Sequence, residues 1–126
     1  MTITKHGEPP PDADDKWETQ LRKGCLELAI LGSLWTGRRY GLEILRSLKR
    51  ESELVVSEGT VYPLLSRLRA DGLLESEWVE TESGHPRKYY RLTPRGRRRA
   101  TQMARLWTRF ASNIAELLAP LQKGGR

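Results

Sequence analysis

The chain has 126 residues, a formal net charge of +6 at pH 7 and a pI near 9.8, which fit one basic domain of ordinary size. It has no run of roughly 20 apolar residues, the length that a membrane span needs, and its N-terminus lacks the apolar core of a signal peptide. We therefore expect a cytoplasmic protein without a membrane partner. The single Cys25 excludes an intramolecular disulfide, and His6 and His85 have no neighbouring metal-ligand pattern.

The positive charge is concentrated between Ser83 and Ala115, where nine Arg or Lys occur and no Asp or Glu. Such a block indicates a surface that binds a polyanion, although a solvated helix face has the same composition and acidic lipid is a weaker option. The chain has no nucleophile elbow, no glycine-rich phosphate loop and no spaced Ser/His/Asp set. We therefore expect no enzymatic activity, no cofactor and no metal.

The N-terminal residues 1–15 are rich in proline and acidic side chains and have little to bury, so they predict a disordered tail. From Lys16 to about Trp35, apolar residues recur nearly all round a helix, which indicates burial between partners. The first half of this helix, with Trp17 and Leu21, would extend beyond so small a domain. We therefore expect Trp17 and Leu21 to pack on a second subunit.

Two further helices are predicted in the first half of the chain, one in residues 41–51 after a turn and one in residues 57–72. Ser57 fits the N-cap of the later helix, with Thr60 as an alternative, and Gly72 fits a left-handed stop. Its apolar residues recur at i, i+3, i+4 and i+7: Val61, Leu64, Leu65 and Leu68. Three helices with a short connection between the second and third are typical of a helix-turn-helix, whose third helix enters a DNA groove.

Two extended runs follow, residues 74–79 and 87–92, and the polar residues 80–86 between them predict a β-hairpin. A hairpin directly after a recognition helix is typical of the wing of a winged helix. Its returning strand is basic, and Arg87 and Lys88 are the natural phosphate contacts.

Strand alternation divides the second strand of this hairpin into two faces. We predict that Tyr90 and Leu92 face the core, and that Arg87, Tyr89 and Arg91 face DNA. A register error of one residue would exchange the two faces.

Thr93 and Pro94 predict the cap and the first residue of a last helix. Its apolar residues recur at alternating spacings of three and four and form a heptad pattern, which we call the seam: Ala100, Met103, Trp107, Phe110, Ile114, Leu117 and Leu121. A small domain cannot bury such a seam alone, so we predict a homodimer; folding back onto the same domain is the alternative. The predicted fold class is mainly α with a small β-hairpin: a winged helix-turn-helix in residues 16–93, a long C-terminal dimerisation helix in residues 94–121, and a frayed end in residues 122–126.

The chain from about Leu21 to Leu121 resembles the PadR family of bacterial transcriptional regulators, in its short form with a single C-terminal helix. The most specific motifs are SEGTVYPLL at 57–65, LRADGL at 68–73 and GHPRKYYRLTPRG at 84–96. The resemblance implies a winged helix-turn-helix homodimer that represses transcription from inverted-repeat operators in double-stranded DNA and is released by small molecules. The proline-rich acidic tail departs from the family pattern.

The candidate DNA contacts come from the turn before the second helix, the third helix and the wing: Arg38, Arg39, Tyr40, Ser57, Glu58, Gly59, Thr60, Tyr62, Pro63, Ser66, Arg67, Arg69, His85, Arg87, Lys88, Tyr89 and Arg91. Tyr62 can equally be a packing tyrosine, and Arg67 and Arg69 suit phosphates better than bases. The start of the third helix is poor in Arg, Asn and Gln, the residues that read base edges. We therefore expect DNA shape and water to contribute to specificity.

The candidate dimer interface consists of Trp17, Leu21 and the seam. The resemblance further implies that a tryptophan at the position of Trp107 can stack on a planar aromatic effector in an apolar pore at that interface. The candidate contacts of such a small aromatic or hydrophobic effector are Trp107, Met103, Phe110 and Trp17, although an aromatic residue in a seam is more often core. The alternative function is a dimeric protein that captures a hydrophobic compound or a partner helix and binds DNA only incidentally.

Overall fold

The computed structural model describes residues 11–52, 54 and 57–123. Its helices and strands follow one another in this order: α1 (Pro11–Ser33), β1 (Arg39–Tyr40), α2 (Gly41–Ser52), α3 (Glu58–Ala70), β2 (Leu74–Val79), β3 (Arg87–Leu92) and α4 (Pro94–Lys123). The predicted fold, mainly α with a β-hairpin and a long C-terminal helix, is confirmed. Both hairpin strands have the predicted bounds.

The core lies between the first three helices and the inner face of the sheet. The helices and the turn after α1, which holds Leu34, contribute these buried apolar side chains: Leu26, Ile30, Leu31, Leu34, Ile44, Leu45, Leu48, Val61, Leu65 and Leu68. Each stabilises the fold by about 1.5–3 kcal/mol relative to an exposed position. From the sheet, Leu74, Tyr90 and Leu92 are buried against them, which confirms the predicted inner face of β3.

The two ends of the described chain differ from the predictions. Helix α1 begins at Pro11, so residues 11–15 of the predicted tail are helical, whereas residues 1–10 of that tail lie outside the described residues. Proline is tolerated in a first helical turn, and a helix once nucleated gains one backbone hydrogen bond for each residue added. Helix α4 ends at Lys123, so residues 122 and 123 of the predicted frayed end are helical, and residues 124–126 lie outside the described part.

The turn predicted before the second helix contains a short strand, β1, which the sequence analysis missed. It pairs antiparallel with β3, with Arg39 opposite Tyr90 and Tyr40 opposite Tyr89. The sheet therefore has the order β1-β3-β2, and β3 is its central strand. A two-residue strand is too short to show an alternating pattern.

The N-terminus of α3 follows Ser57 rather than Thr60. Ser57 has an extended backbone, with φ −91° and ψ 161°. Its carbonyl oxygen accepts hydrogen bonds from the N–H groups of Thr60 and Val61, both at 3.1 Å. The predicted side-chain cap is wrong, because the Ser57 hydroxyl makes no capping bond and lies 3.3 Å from the Thr60 hydroxyl instead.

The C-terminus of α3 has the predicted left-handed stop. Gly72 has φ 80°, and its N–H donates to the Arg69 carbonyl at 3.0 Å. The N–H of Leu73 donates to the Leu68 carbonyl, also at 3.0 Å. This pair of bonds is a Schellman motif, which satisfies the last helical carbonyls and fixes the exit of the chain into β2.

Thr93 and Gly96 join α4 to the winged domain. The Thr93 hydroxyl accepts a hydrogen bond from the N–H of Gly96 at 2.9 Å, which confirms the predicted cap, and donates to the carbonyl of Gly72 at 2.7 Å. A Cβ atom on Gly96 would be only 2.0 Å from the Leu73 carbonyl oxygen. The first turn of α4 is therefore packed directly against the corner between α3 and β2.

Candidate nucleic-acid interface

The face of α3 opposite the core is exposed. It carries most of the candidate contacts of the third helix: Ser57, Glu58, Gly59, Thr60, Pro63, Ser66, Arg67 and Arg69. Arg67 is not free of partners, because its Nη2 donates to Glu27 of α1 at 2.8 Å. Such a surface pair contributes little to stability, so a phosphate can displace it.

The sequence left open whether Tyr62 packs within the domain or contacts DNA, and the structure shows part of the answer. Its ring lies against Gly41, where an added Cβ atom would be 2.4 Å from the ring, so a side chain at Gly41 would displace Tyr62. Burial raises the pKa of the Tyr62 phenol, and the nearby Glu58 carboxylate raises it further. Tyr62 thus packs the start of α2 onto α3 while it stays partly exposed.

A groove of about 520 Å³ lies beside this helix, between the start of α2 and the wing. Its lining combines candidate contacts with residues that the sequence analysis did not single out: Tyr40, Gly41, Leu42, Tyr62, Trp78, Arg87, Lys88 and Tyr90. The Lys88 ammonium lies 5.8 Å from the ring centroids of both Trp78 and Tyr90. Lys88 is thus on the side of the sheet that faces α3.

Trp78 is the main residue of this groove that sequence reasoning missed. It is 68% exposed although it is a large aromatic side chain, and it pairs with Lys88 across the hairpin. The available signal was its position, since alternation from the buried Leu74 places Trp78 on the inner face but beyond the core. A largely exposed indole is more typical of an interaction surface than of a core.

Arg87, Tyr89 and Arg91 lie on the outer face of the sheet, opposite the buried Tyr90 and Leu92, and each of the three contacts a neighbouring side chain. The Tyr40 and Tyr89 rings meet edge to face, with centroids 5.5 Å apart. The Arg38 guanidinium lies 4.6 Å from the Tyr89 ring centroid, and that of Arg87 lies 4.4 Å from the Tyr40 centroid. Both guanidinium groups thus lie against tyrosine rings.

Two acidic residues of β2 neutralise part of this outer face. Glu75 accepts a hydrogen bond from Arg91 at 3.0 Å, which raises the pKa of the Arg91 guanidinium. Glu77 lies 2.8 Å from a guanidinium nitrogen of Arg38 and 3.4 Å from one of Arg91. Arg87 and Lys88 are in no ion pair among the described residues, so they are the wing cations available to a phosphate.

The remaining wing and turn candidates are peripheral. His85 is exposed at the hairpin tip, where its carbonyl accepts a hydrogen bond from the Thr81 hydroxyl at 2.8 Å. Gly84, with φ 84°, gives this tip its left-handed residue. Arg39 is half-buried in β1.

The predicted dimer residues divide into two groups. Ala100 is 4% exposed and Met103 packs against the core, because the first turns of α4 lie on α1. These two residues are thus covered within their own chain. The rest of the seam and the start of α1 expose large apolar side chains: Trp17, Leu21, Trp107, Phe110, Ile114, Leu117 and Leu121.

An apolar groove of about 560 Å³ separates the start of α1 from the second half of α4. Leu21, Trp107, Phe110 and Ile114 line it. The structure therefore brings Trp107 and Phe110 of the candidate effector set together, whereas Met103 and Trp17 do not line this groove. Within the described residues, no helix is long and apolar enough to cross a membrane, and no cluster of His, Cys, Asp or Glu has the makings of a metal site.

Comparison with known proteins identifies relatives over most of the chain. The sequence model of the "Transcriptional regulator PadR-like family" matches residues 30–102. The transcriptional regulator Rv3488 of Mycobacterium tuberculosis is 35% identical over 95 residues, which cover 75% of this chain and 87% of the relative.

Solved structures show the same fold. A PadR-like transcription factor from Bacteroides fragilis is 40% identical, with a TM-score of 0.66 over 81% of this chain and 98% of that one. A PadR family transcriptional regulator from Eggerthella lenta DSM 2243 is 34% identical, with a TM-score of 0.72 over 85% of this chain and 89% of the other.

Proposed function

Because this chain belongs to the PadR-like family of transcriptional regulators, we propose that it is a homodimeric, ligand-responsive repressor of an inverted-repeat operator. Family membership makes the protein a DNA-binding regulator and not an enzyme. The dimer, the repressor role, the ligand response and the cytoplasmic location are the steps of the proposal. One observation supports the proposal: the same chain presents an exposed face of α3 beside a basic groove and, elsewhere, an exposed apolar surface on α1 and α4.

The DNA-binding part of the proposal uses α3 as the inserted helix. Its 13 residues are about 20 Å long at 1.5 Å per residue, which suits a major groove. Beside it, Lys88 and Arg87 are placed to meet phosphates, and Trp78 is placed to meet a sugar or a base edge. Arg38 and Arg91 contribute less, because acidic neighbours already neutralise them.

The dimer part rests on apolar side chains that the chain does not cover by itself. Leu117 is 75% exposed and Leu121 is 70% exposed on a helix of 30 residues. Exposed apolar surface of this extent marks an interface, and the heptad spacing favours a second copy of the same helix. In a twofold dimer, two copies of α3 would meet half-sites one DNA turn apart, about 34 Å.

The effector part rests on the apolar groove that contains Trp107 and Phe110. This groove lies between α1 and α4, the two helices proposed to meet the partner. A planar compound bound there would change how those helices pack, and hence the distance between the two copies of α3. Repression released by such a compound is the simplest regulatory consequence.

The deciding experiment is a gel-shift titration with the DNA upstream of the protein's own gene, at about 150 mM salt, where weak non-specific binding fades. We expect a shift that survives an excess of scrambled duplex and occurs with two chains per operator, as measured by analytical ultracentrifugation. Equal affinity for the operator and the scrambled duplex would favour the alternative, a hydrophobic-ligand or partner-helix binding protein with incidental DNA binding.

A further inference from the structure

The ion pairs of the described residues are concentrated on candidate DNA contacts. Apart from the pair of Arg22 with Glu18 inside α1, each of them holds an arginine of that set: Arg38, Arg67 or Arg91. The partner is in each case a glutamate on another element. A carboxylate binds a guanidinium group through the same charge-assisted hydrogen bonds as a phosphate. These glutamates therefore occupy arginines to which DNA phosphates would otherwise bind.

Glu77 differs from the other glutamates because it holds two arginines at once. Its Oε1 atom lies 2.8 Å from Nη1 of Arg38 and 3.4 Å from Nη1 of Arg91. Arg91 has a second partner in Glu75, at 3.0 Å. Arg38 is paired with Glu77 alone among the described residues. Loss of the Glu77 charge would therefore free Arg38 and leave Arg91 paired.

Arg38 borders the groove beside α3, where the wing cations are available to phosphates. Its guanidinium lies over the Tyr89 ring, and that ring meets the Tyr40 ring edge to face. Tyr40 in turn lines the groove and lies under the Arg87 guanidinium. A freed Arg38 would therefore add a positive charge at the edge of the proposed DNA surface.

The pair of Glu77 with Arg38 contributes little to the fold. The two side chains are 46% and 47% exposed, and exposed pairs of this kind stabilise a protein only weakly. The contact between Arg38 and the Tyr89 ring does not involve the carboxylate. The larger effect of Glu77 is therefore expected in DNA binding, to which every phosphate contact adds a salt-dependent factor.

We propose that Glu77 is a specificity-determining residue that withholds Arg38 from the phosphates of non-specific DNA. Non-specific binding comes almost entirely from phosphate contacts, and a complex without base contacts is free to shift until a free cation meets a phosphate. On the operator, α3 fixes the position of the wing, so a free Arg38 gains a contact only where a phosphate lies within its reach. The Glu77 carboxylate therefore weakens binding to wrong duplexes more than binding to the right one. This step rests on the proposed binding of an operator.

The test compares two duplexes of equal length, the DNA upstream of the protein's own gene and a scrambled sequence, by fluorescence anisotropy at several salt concentrations. Glu77→Gln removes the charge and keeps the shape of the side chain. One added phosphate contact steepens the dependence of log affinity on log salt concentration by about 0.9, which is about eightfold in affinity at 0.1 M salt relative to 1 M. We expect this gain with the scrambled duplex and a change of less than about twofold with the upstream duplex, so the specificity ratio should fall by about four- to eightfold.

Glu82→Gln is the matched control, because Glu82 is an exposed glutamate of the same hairpin and is in no ion pair among the described residues. If it raises the affinity for the scrambled duplex as much as Glu77→Gln does, the overall charge of the wing explains the effect and the proposal is wrong. An equal gain of Glu77→Gln with both duplexes, or no gain with the scrambled one, would also overturn it.

A double variant tests whether Glu77 acts through Arg38. Arg38→Ala alone should change binding to the scrambled duplex little, because the Arg38 charge is already paired. In Arg38→Ala/Glu77→Gln the gain should disappear, and a gain that persists would refute the proposal because Arg38 would not be the cation released. Circular dichroism checks each fold, and Glu77→Thr, which suits a strand, replaces a glutamine variant that does not fold.

Failure of this proposal and failure of the proposed function give different results. Equal affinity of the unchanged protein for the upstream and scrambled duplexes would count against the proposed function. The gain with the scrambled duplex, and its loss in the double variant, would still decide whether Glu77 withholds Arg38 from DNA.

Discussion

Replacing Gly96 by alanine tests how tightly α4 is joined to the winged domain. A Cβ atom at this position would lie 2.0 Å from the Leu73 carbonyl oxygen and 3.2 Å from a methyl carbon of Leu92. The nearer obstacle is backbone, so a change of rotamer cannot relieve it. Since Cβ contacts under 3.0 Å are essentially never found, the first turn of α4 has to move by about 1 Å, the difference between 3.0 and 2.0 Å.

That movement stretches two hydrogen bonds that hold the junction. The Thr93 N–H donates to the Leu73 carbonyl at 3.1 Å, and the Thr93 hydroxyl donates to the Gly72 carbonyl at 2.7 Å. Each contributes about 0.5–1.5 kcal/mol, and overpacking adds about 1–3 kcal/mol. The higher helix propensity of alanine offsets about 1 kcal/mol. We therefore expect the free energy of unfolding to fall by about 3 kcal/mol.

The assay is urea unfolding followed by circular dichroism, at one protein concentration because dimerisation shifts apparent stability. Gly24→Ala in α1 is the matched control, since an added Cβ has no atom within 4 Å apart from its chain neighbours and the backbone of its own helix. It should stabilise the fold by about 0.5–1 kcal/mol, through helix propensity alone. A Gly96→Ala variant as stable as the unchanged protein would refute the steric argument.

Four further predictions concern the wing, α4 and the core. Lys88→Ala should weaken binding to every duplex and lower the dependence of log affinity on log salt concentration by about one unit. Arg91→Ala should change this salt dependence less, because the Arg91 charge is already paired with Glu75. Fluorescence anisotropy measures both. Trp107→Ala should leave operator affinity largely intact and abolish the response to planar aromatic effectors, and loss of the dimer in sedimentation would assign Trp107 to packing instead. Thr93→Ala should lower the free energy of unfolding in urea by about 1–2 kcal/mol, and Thr93→Ser should restore most of it. Burial raises the pKa of Tyr90, so the native state holds this proton more tightly than the unfolded state does. The free energy of unfolding should therefore fall as pH rises above about 10. In Tyr90→Phe, the midpoint of urea unfolding should fall less over the same pH range.

The hairpin shows why much of the fold was predictable. Residues 74–79 and 87–92 alternate between core and solvent, and a polar tip rich in turn formers separates them, so local sequence defines both ends of each strand. The burial of Tyr90 and Leu92 follows from the same alternation. The helices α2 and α3 were equally predictable from the sequence, because their apolar residues repeat with the helical period over at least two turns.

The features that escaped prediction depend on contacts between distant parts of the chain. β1 consists of Arg39 and Tyr40 only and exists because β3 is there to pair with it. The pairing of Arg38 with Glu77 joins residues 39 positions apart, so no local pattern reveals that its charge is neutralised. The exposure of Trp78 likewise depends on how far the hairpin extends past the core.

The position of α4 relative to the wing bears on how a regulator with few base-reading side chains could be controlled. The start of α3 has no Arg, Asn or Gln, so recognition by the proposed dimer would depend strongly on how well its two copies match the spacing of their half-sites. Thr93 and Gly96 fix the first turn of α4 to the corner after α3, and Trp107 lies 13 residues beyond Pro94, about 20 Å along the helix. Because this junction is closely packed, the proposed change in packing at the groove that contains Trp107 would be passed on to the winged domain. In the proposed dimer, an effector would then alter DNA affinity through the distance between the two α3 helices, without touching a candidate DNA contact.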